Sequence, residues 1–501
     1  MTTMQSRRLR VRSAVLGVVG AALLLAPLGG QVSADPTTVQ ESDVAAVDAY
    51  ITTQLHDLDI PGMALSIVQG DQIIHAQGFG TADSSGRAVT PQTPFGIGSI
   101  TKSFTAMAVM QLVEAGKIDL DAPVQRYLPW FRLADQEASA KITIRDLLRQ
   151  TTGISEKDGN GFWSSQQGLE DTVRGLGSIE LTQPVGTAYQ YSNINYSIAG
   201  LVVEKVAGQP YGDYVTQHIF APLDMQHSFT SRDQAVADGL SDGHTYMIGR
   251  TFALDRPVPP VYGPTGSLMA SAEDLAHYAI AHLDDGRYGD TAILAPEGIA
   301  ELHAPAVDVP GTDARYAMGW GAVTWEGQPM LFHSGDVFNY HSFITLLPDG
   351  DLGIVLLVNA TGFEQLSQVD GIAQGVLSLL HGGPAPEPIS APFMNRFLYW
   401  AIVLTPFIQI LGIVLGWRRR MRRGRWTLIL TVALNLVAVF SLFGLAQLIP
   451  FPFPSLVAVY PELGYGLIAV ATLALGWSVI FSAMRLLTRR SRRDDLTPAT
   501  A

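Results

Sequence analysis

The chain has 501 residues, no cysteine, a formal net charge of −13 and a mean hydropathy of +0.20. The lack of cysteine excludes disulfides, thiolate metal sites and cysteine nucleophiles, and the hydropathy is high for a soluble protein, which favours membrane segments. Residues 35–392 carry 16 basic and 42 acidic residues, a net charge of −26, which excludes electrostatic binding of nucleic acid.

The first 34 residues predict a secretory signal peptide. Four arginines between positions 7 and 12 precede an apolar stretch over residues 14–28, and Val32-Ser33-Ala34 supplies small residues for cleavage. We therefore expect the chain from residue 35 onwards to begin outside the cytoplasm.

Residues 99–115 predict a helix that is buried on nearly all sides. They contain no proline or glycine, apolar side chains cover most of the helical circumference, and Gly116 follows. Ser99 and Lys102 would lie one turn apart at its start, where the helix dipole favours negative charge on a hydroxyl. The pair is a candidate nucleophile with its proton acceptor, although a helix cap with a solvated lysine fits this stretch equally well.

The remaining patterns predict an antiparallel sheet built from both ends of the domain, with a mostly helical middle, which is an α/β class. Residues 62–79 show two apolar runs around Gly70-Asp71, and residues 317–359 show a similar series separated by turns. Between these ends, helical periodicity covers residues 142–150, 193–208 and 271–283.

Two short segments supply further candidate site residues. In Tyr191-Ser192-Asn193, the tyrosine could ionise beside an ammonium or relay a proton, and the asparagine offers a donor and an acceptor. In His333-Ser334-Gly335, the glycine leaves room for a substrate to pair with the strand backbone. Taken singly, Tyr191 and His333 are each better interpreted as structural residues.

The C-terminal part predicts a membrane region after a proline-rich linker at 382–392. Arginines cluster between the first two of its apolar stretches and again after the third, which places both clusters in the cytoplasm. The signal peptide independently places the 35–381 domain outside, so we predict a multi-pass plasma-membrane protein with three transmembrane helices within 393–490 and a cytoplasmic tail at 491–501. The apolar stretches lie near 397–417, 426–449 and 464–484.

The motifs Ser99-x-x-Lys102, Tyr191-x-Asn193 and His333-x-Gly335, in this order, resemble those of the serine beta-lactamase and penicillin-binding-protein superfamily. The likeness is to its class C beta-lactamase and D-alanyl-peptidase/esterase branch, over roughly residues 45–380. It implies a beta-lactamase/transpeptidase-like fold, with no metal or other cofactor. It further implies an acyl-enzyme on Ser99, acid/base partners Lys102 and Tyr191, substrate-binding residues Asn193, His333, Ser334 and Gly335, and an oxyanion hole from the backbone N–H groups of Ser99 and Asp336.

The sequence departs from the family at His333, where beta-lactamases carry the lysine of a Lys-Thr-Gly motif. No lysine follows Lys205. A histidine that titrates near 6.5 supplies little positive charge for a substrate carboxylate at pH 7. We therefore expect an esterase, amidase or D-amino-acid peptidase that acts on a small ester, amide or D-amino-acid peptide.

Two alternatives stay open. One is a beta-lactamase or D,D-carboxypeptidase that acts on cell-wall peptides. The other is a catalytically idle sensing or binding domain attached to the membrane region.

Overall fold

The computed structural model describes residues 39–363, 365–384, 393–418 and 449–494, together with scattered residues between 433 and 447. Several predicted features lie wholly or in large part outside the described residues: the signal peptide, the linker from 385 onwards, the arginine-rich loop, half of the second apolar stretch and the end of the tail.

An eight-stranded antiparallel sheet joins the two ends of the domain, as the sequence predicts. The strands in chain order are β1 Gly62–Gln69, β2 Gln72–Gly80, β3 Phe95–Gly96, β4 His244–Met247, β5 Arg250–Ala253, β6 Met269–Ala270, β7 Arg287–Tyr288, β8 Thr291–Ala292, β9 Val307–Asp308, β10 Arg315–Tyr316, β11 Gly321–Trp325, β12 Gln328–Val337, β13 Tyr340–Leu347, β14 Leu352–Val358 and β15 Ala360–Thr361. Strand β1 from the N-terminal end pairs with β14 from the C-terminal end, and the sheet order is β2-β1-β14-β13-β12-β11-β10-β9.

Helices cover both faces of this sheet and provide the α part of the α/β class. The helices in chain order are α1 Glu41–Asp57, α2 Thr101–Glu114, α3 Gln136–Ser139, α4 Ile144–Leu148, α5 Glu156–Gly159, α6 Leu169–Arg174, α7 Asn193–Ala207, α8 Tyr211–Val215, α9 Arg232–Ala237, α10 Gly263–Gly266, α11 Ala272–Leu283, α12 Pro296–His303, α13 Leu366–Leu380, α14 Phe393–Arg418, α15 Phe453–Val459 and α16 Pro461–Asp494.

The two faces of the sheet bury separate apolar cores. Helices α1 and α13 pack on one face, and α11 packs on the other. Because both faces are covered, β14 is buried at every residue, instead of alternating between buried and exposed positions.

The helix that carries the Ser-x-x-Lys motif is buried as predicted. Ser99 lies in a 3-10 turn, Gly98–Ile100, that leads directly into α2, where every residue from Thr101 to Met110 is buried. Gly116 follows with a φ of +67°. The predicted helix over 142–150 is shorter, since α4 ends at Leu148.

The apolar C-terminal helices are compatible with a membrane region, but three spans stay a prediction. Within the described residues, one helical segment, Pro461–Ile480 of α16, is long and apolar enough to cross a bilayer, and Asn395–Leu411 of α14 is a shorter apolar segment. Helices α14 and α16 pack against each other. Because half of the second stretch lies outside the described residues, three transmembrane helices are not confirmed.

Candidate active site

The position of Ser99 is set by close contact between the 3-10 turn and strand β12. A Cβ atom at Gly335 would lie 2.1 Å from the Ile97 carbonyl oxygen. Gly98 has a φ of +48°, and a Cβ there would lie 2.7 Å from the Asp336 nitrogen. Two glycines therefore allow the turn and the strand to touch, and this contact fixes the distance between Ser99 and β12.

The structure brings Ser99, Lys102, Tyr191 and Asn193 together, as the motifs predict. The Ser99 hydroxyl lies 2.9 Å from Lys102 Nζ and 2.7 Å from the Tyr191 hydroxyl. Lys102 Nζ also donates to Asn193 Oδ1 at 2.8 Å and to the Thr265 carbonyl at 3.0 Å. The cluster is almost sealed from solvent, since Ser99 is 8% exposed and Lys102 is fully buried.

Burial makes the lysine the better proton acceptor of the two candidates. It lowers the pKa of Lys102 well below its usual value and raises the pKa of Tyr191 well above its usual value. A neutral amine has two N–H donors, which match Asn193 Oδ1 and the Thr265 carbonyl, and one lone pair, which faces the Ser99 hydroxyl. Tyr191 remains a neutral phenol, so the arrangement favours proton relay over ionisation for this residue.

The strand that carries the His-Ser-Gly motif also orients a backbone donor. A two-residue turn joins β12 to β13, so the Val337–Tyr340 pair that flanks the turn is a hydrogen-bonded pair. The next pair, Asp336–His341, is therefore a non-hydrogen-bonded pair. The N–H of Asp336 therefore points away from β13. Strand β11 does not bind this N–H on the other side, because β11 pairs with β12 only as far as Phe332. This donor faces the Ser99 turn, as an oxyanion hole requires.

The interpretation of His333 as a group that titrates near neutral pH is wrong. Its side chain is 7% exposed, Nδ1 donates to the Ser334 carbonyl at 2.6 Å, and Tyr316 donates to Nε2 at 3.4 Å. Burial, and secondarily the proximity of Lys102, lowers the pKa of His333 to about 3. The imidazole is therefore neutral over the whole physiological range, and it offers no charge to a substrate carboxylate.

A small cavity of about 20 Å³ lies directly over Ser99. Of the predicted substrate-binding residues it contacts Asn193, whereas His333, Ser334 and Gly335 form the strand behind the site. Two of its lining residues, Phe451 and Val459, come from the apolar C-terminal part of the chain, which the motif search did not connect to the site. Its lining is Ser99, Trp163, Asn193, Thr265, Gly266, Asp336, Phe338, Phe451 and Val459.

Sequence reasoning also missed Asn160, which lies behind Asn193. Asn193 Nδ2 donates to Asn160 Oδ1 at 2.7 Å, and Trp163 Nε1 donates to the same oxygen at 3.4 Å. Because Asn160 orients the Asn193 amide, it fixes the oxygen that accepts from Lys102. No local signal distinguishes this asparagine, which follows the short helix α5.

The side chain of Asp336 belongs to a buried charge cluster that also escaped the motif search. His341, 2% exposed, lies 3.1 Å from Asp370 and 3.9 Å from Asp336. Burial alone would lower the pKa of His341, but the two carboxylates together raise it to about 9. The Asp336 side chain is thus held by a buried ion-pair cluster next to the candidate site.

Comparisons with known proteins agree over the domain that contains this site. A family model described as beta-lactamase matches residues 47–377, which end before α14. Protein flp of Staphylococcus aureus (strain MW2) is 30% identical over 319 residues, 62% of this chain and 62% of that protein, so the chain spans about three fifths of this relative's length. Penicillin-binding protein 4 of Amycolatopsis lactamdurans is 30% identical over 348 residues, 67% of this chain and 90% of that protein.

Among solved structures, the octameric penicillin-binding protein homologue from Pyrococcus abyssi is similar to this chain. The TM-score is 0.60 and the sequence identity is 27%, and the match covers 71% of this chain and 81% of that one.

Proposed function

This chain belongs to the beta-lactamase family, within the superfamily of serine beta-lactamases and penicillin-binding proteins, and we propose that it is a serine hydrolase that works through an acyl-enzyme on Ser99. The observation that carries the proposal is the contact of the Ser99 hydroxyl with both Lys102 Nζ and the Tyr191 hydroxyl. A serine without such a base is a weak nucleophile.

The first chemical step is acylation of Ser99. Neutral Lys102 accepts the hydroxyl proton as Oγ attacks the substrate carbonyl carbon, and the N–H groups of Ser99 and Asp336 stabilise the oxyanion. The bond to the leaving group then breaks, and the proton passes from Lys102 through Tyr191 to the leaving oxygen or nitrogen. A water molecule next attacks the acyl carbon, which releases the acid and restores the Ser99 hydroxyl.

The substrate that fits best is an ester, an amide, or a D-amino-acid peptide that is recognised without its terminal carboxylate. Penicillins and D-Ala peptides carry a carboxylate, and the neutral His333 provides no charge for it. The alternative, a beta-lactamase or D,D-carboxypeptidase, is favoured by the similarity to penicillin-binding protein 4. A panel of p-nitrophenyl esters, D-amino-acid amides, a D-Ala-D-Ala peptide and nitrocefin distinguishes the two.

We also propose that the domain is held at the outer face of the plasma membrane. Large apolar side chains are exposed along α14 and α16, for example Ile408 at 66% and Val479 at 68%. Lipid would cover these faces, and the arginine clusters orient the helices. The predicted signal peptide gives the same orientation.

The test of the proposed activity uses Ser99→Ala in the full-length protein. Loss of the covalent catalyst should reduce turnover of the best substrate about 10³-fold or more while the thermal unfolding curve stays unchanged. Intact-mass measurement should detect an acyl adduct in the wild type and none in the variant. Equal turnover in both proteins would contradict the mechanism and favour an idle binding domain.

A further inference from the structure

Residues 449–460, here called the covering segment, close the cavity over Ser99. The segment consists of the stretch before α15, the helix α15 itself and Tyr460, and it leads directly into α16. Phe451 and Val459 line the cavity. A space of about 20 Å³ holds roughly one water molecule, so the acyl and leaving groups of a substrate cannot both enter while the segment is in place.

The covering segment is bonded to residues that support the catalytic groups. Asn160, which orients Asn193, donates through Nδ2 to the Pro450 carbonyl at 3.0 Å. Tyr460 donates to Asp336 Oδ2 at 3.4 Å, and Arg256 donates to the Ala458 carbonyl. The position of the segment is therefore coupled directly to the residues around Ser99.

A larger cavity of about 260 Å³ lies beside the small one. Gly266 and Phe338 line both cavities, and the larger one is also bordered by Arg256 and by apolar residues that include Val258 and Met269. An engineered apolar cavity of about 150 Å³ accommodates benzene. On that scale the larger cavity accommodates an apolar group of about ten carbon atoms.

We infer that the covering segment is a movable wall of the active site, and that its displacement joins the two cavities to admit an ester or amide with a medium-length apolar chain. The inference rests on the proposed function, because it requires Ser99 to react. It assigns the apolar C-terminal region a part in substrate selection in addition to anchoring. The apolar inner side chains Phe451 and Val459 would be uncovered on opening, and an apolar substrate chain would cover them again.

The movement is tested with a reversible crosslink. Lys157 Nζ donates to Gln447 Oε1 at 2.7 Å, just ahead of the covering segment, and both residues are exposed. Because the chain has no cysteine, Lys157→Cys with Gln447→Cys introduces a single thiol pair. An ethylene bis-methanethiosulfonate linker should lock the segment closed in the full-length protein.

The readout is the rate at which a fluorophosphonate probe labels Ser99. We expect crosslinking to slow labelling at least tenfold, and reduction of the linker to restore it. The control is Glu170→Cys with Lys205→Cys, a salt-bridged pair that lies entirely outside the covering segment, where the crosslink should change nothing. Equal labelling of locked and reduced protein would overturn the inference. Absence of labelling in every form, wild type included, would instead contradict the proposed function and the inference with it.

The substrate class is tested with p-nitrophenyl esters of increasing acyl length. In the wild type, kcat/KM should rise with chain length up to about ten carbons. Val258→Trp, which fills part of the larger cavity, should abolish this rise, so that the long-chain esters lose their advantage over the acetyl ester. A chain-length profile that Val258→Trp leaves unchanged would exclude the larger cavity as the acyl site.

Discussion

Replacement of Gly335 by alanine should separate Ser99 from its oxyanion donor. The added Cβ would lie 2.1 Å from the Ile97 carbonyl oxygen and 2.3 Å from Ser342 Oγ, whereas ordinary contacts of this kind are above 3 Å. The turn that carries Ser99 or strand β12 must therefore move by about 1 Å. A displacement of this size in an active site costs about 10²-fold in rate, and overpacking at a buried contact costs about 1–3 kcal/mol of stability.

The measurement is kcat/KM for the best ester, with thermal unfolding recorded on the same samples. The matched control is Gly175→Ala, because Gly175 has a φ of −78° and a Cβ there meets no atom within 4 Å. The control should retain wild-type activity and stability. If Gly335→Ala stays within twofold of wild type while remaining folded, the turn and strand do not set the geometry of catalysis.

Three further predictions concern protonation and topology. The kcat/KM value should fall as pH falls through the lowered pKa of Lys102, because the base must be neutral, and Lys102→Arg should be inactive at every pH in the same profile. The raised pKa of His341, about 9, should stabilise the fold by up to about 3 kcal/mol below pH 6.5, and this stabilisation should be lost as pH rises from 6.5 through 9. In urea unfolding, the His341→Gln variant should not show this loss. If the free energies of unfolding of the variant and the wild type depend on pH in the same way, the ion-pair cluster is contradicted. A reporter fused after Arg423 should be cytoplasmic and one inserted near Ser455 external; the reverse result would overturn the proposed orientation.

The fold and the candidate active site were largely predictable because their signals are local. Turn residues such as Gly70 mark the hairpins, and the spacing of Ser99 and Lys102 places both side chains on one face of the helical turn that begins α2. The helix that starts at Asn193 is also evident from its periodicity. These features depend only on residues that are neighbours in the sequence, so the sequence alone is enough to predict them.

The wall over Ser99 was not predictable, because its residues carry no local sign of their role. Phe451 and Val459 lie between two apolar stretches, where the sequence indicates only the boundary of a membrane span. Only the tertiary structure places them over the site. The protonation of His333 was missed for a similar reason. The pKa of His333 depends on burial by segments that are distant in the sequence. A three-residue motif does not predict how deeply its first residue is buried.

The neutral His333 leads to a final prediction about substrate charge. Because its pKa is about 3, the ratio of kcat/KM for a carboxylate-bearing amide to that for a neutral ester should not change between pH 6 and 8 in the wild type. Acid and base groups elsewhere in the site act on both substrates, so they cancel in this ratio. His333→Gln, which is neutral at every pH, should give the same ratio and the same lack of pH dependence as the wild type. A wild-type ratio that increases as pH falls through 6.5 would show that His333 becomes protonated near neutral pH, and the argument against carboxylate-bearing substrates would then fail.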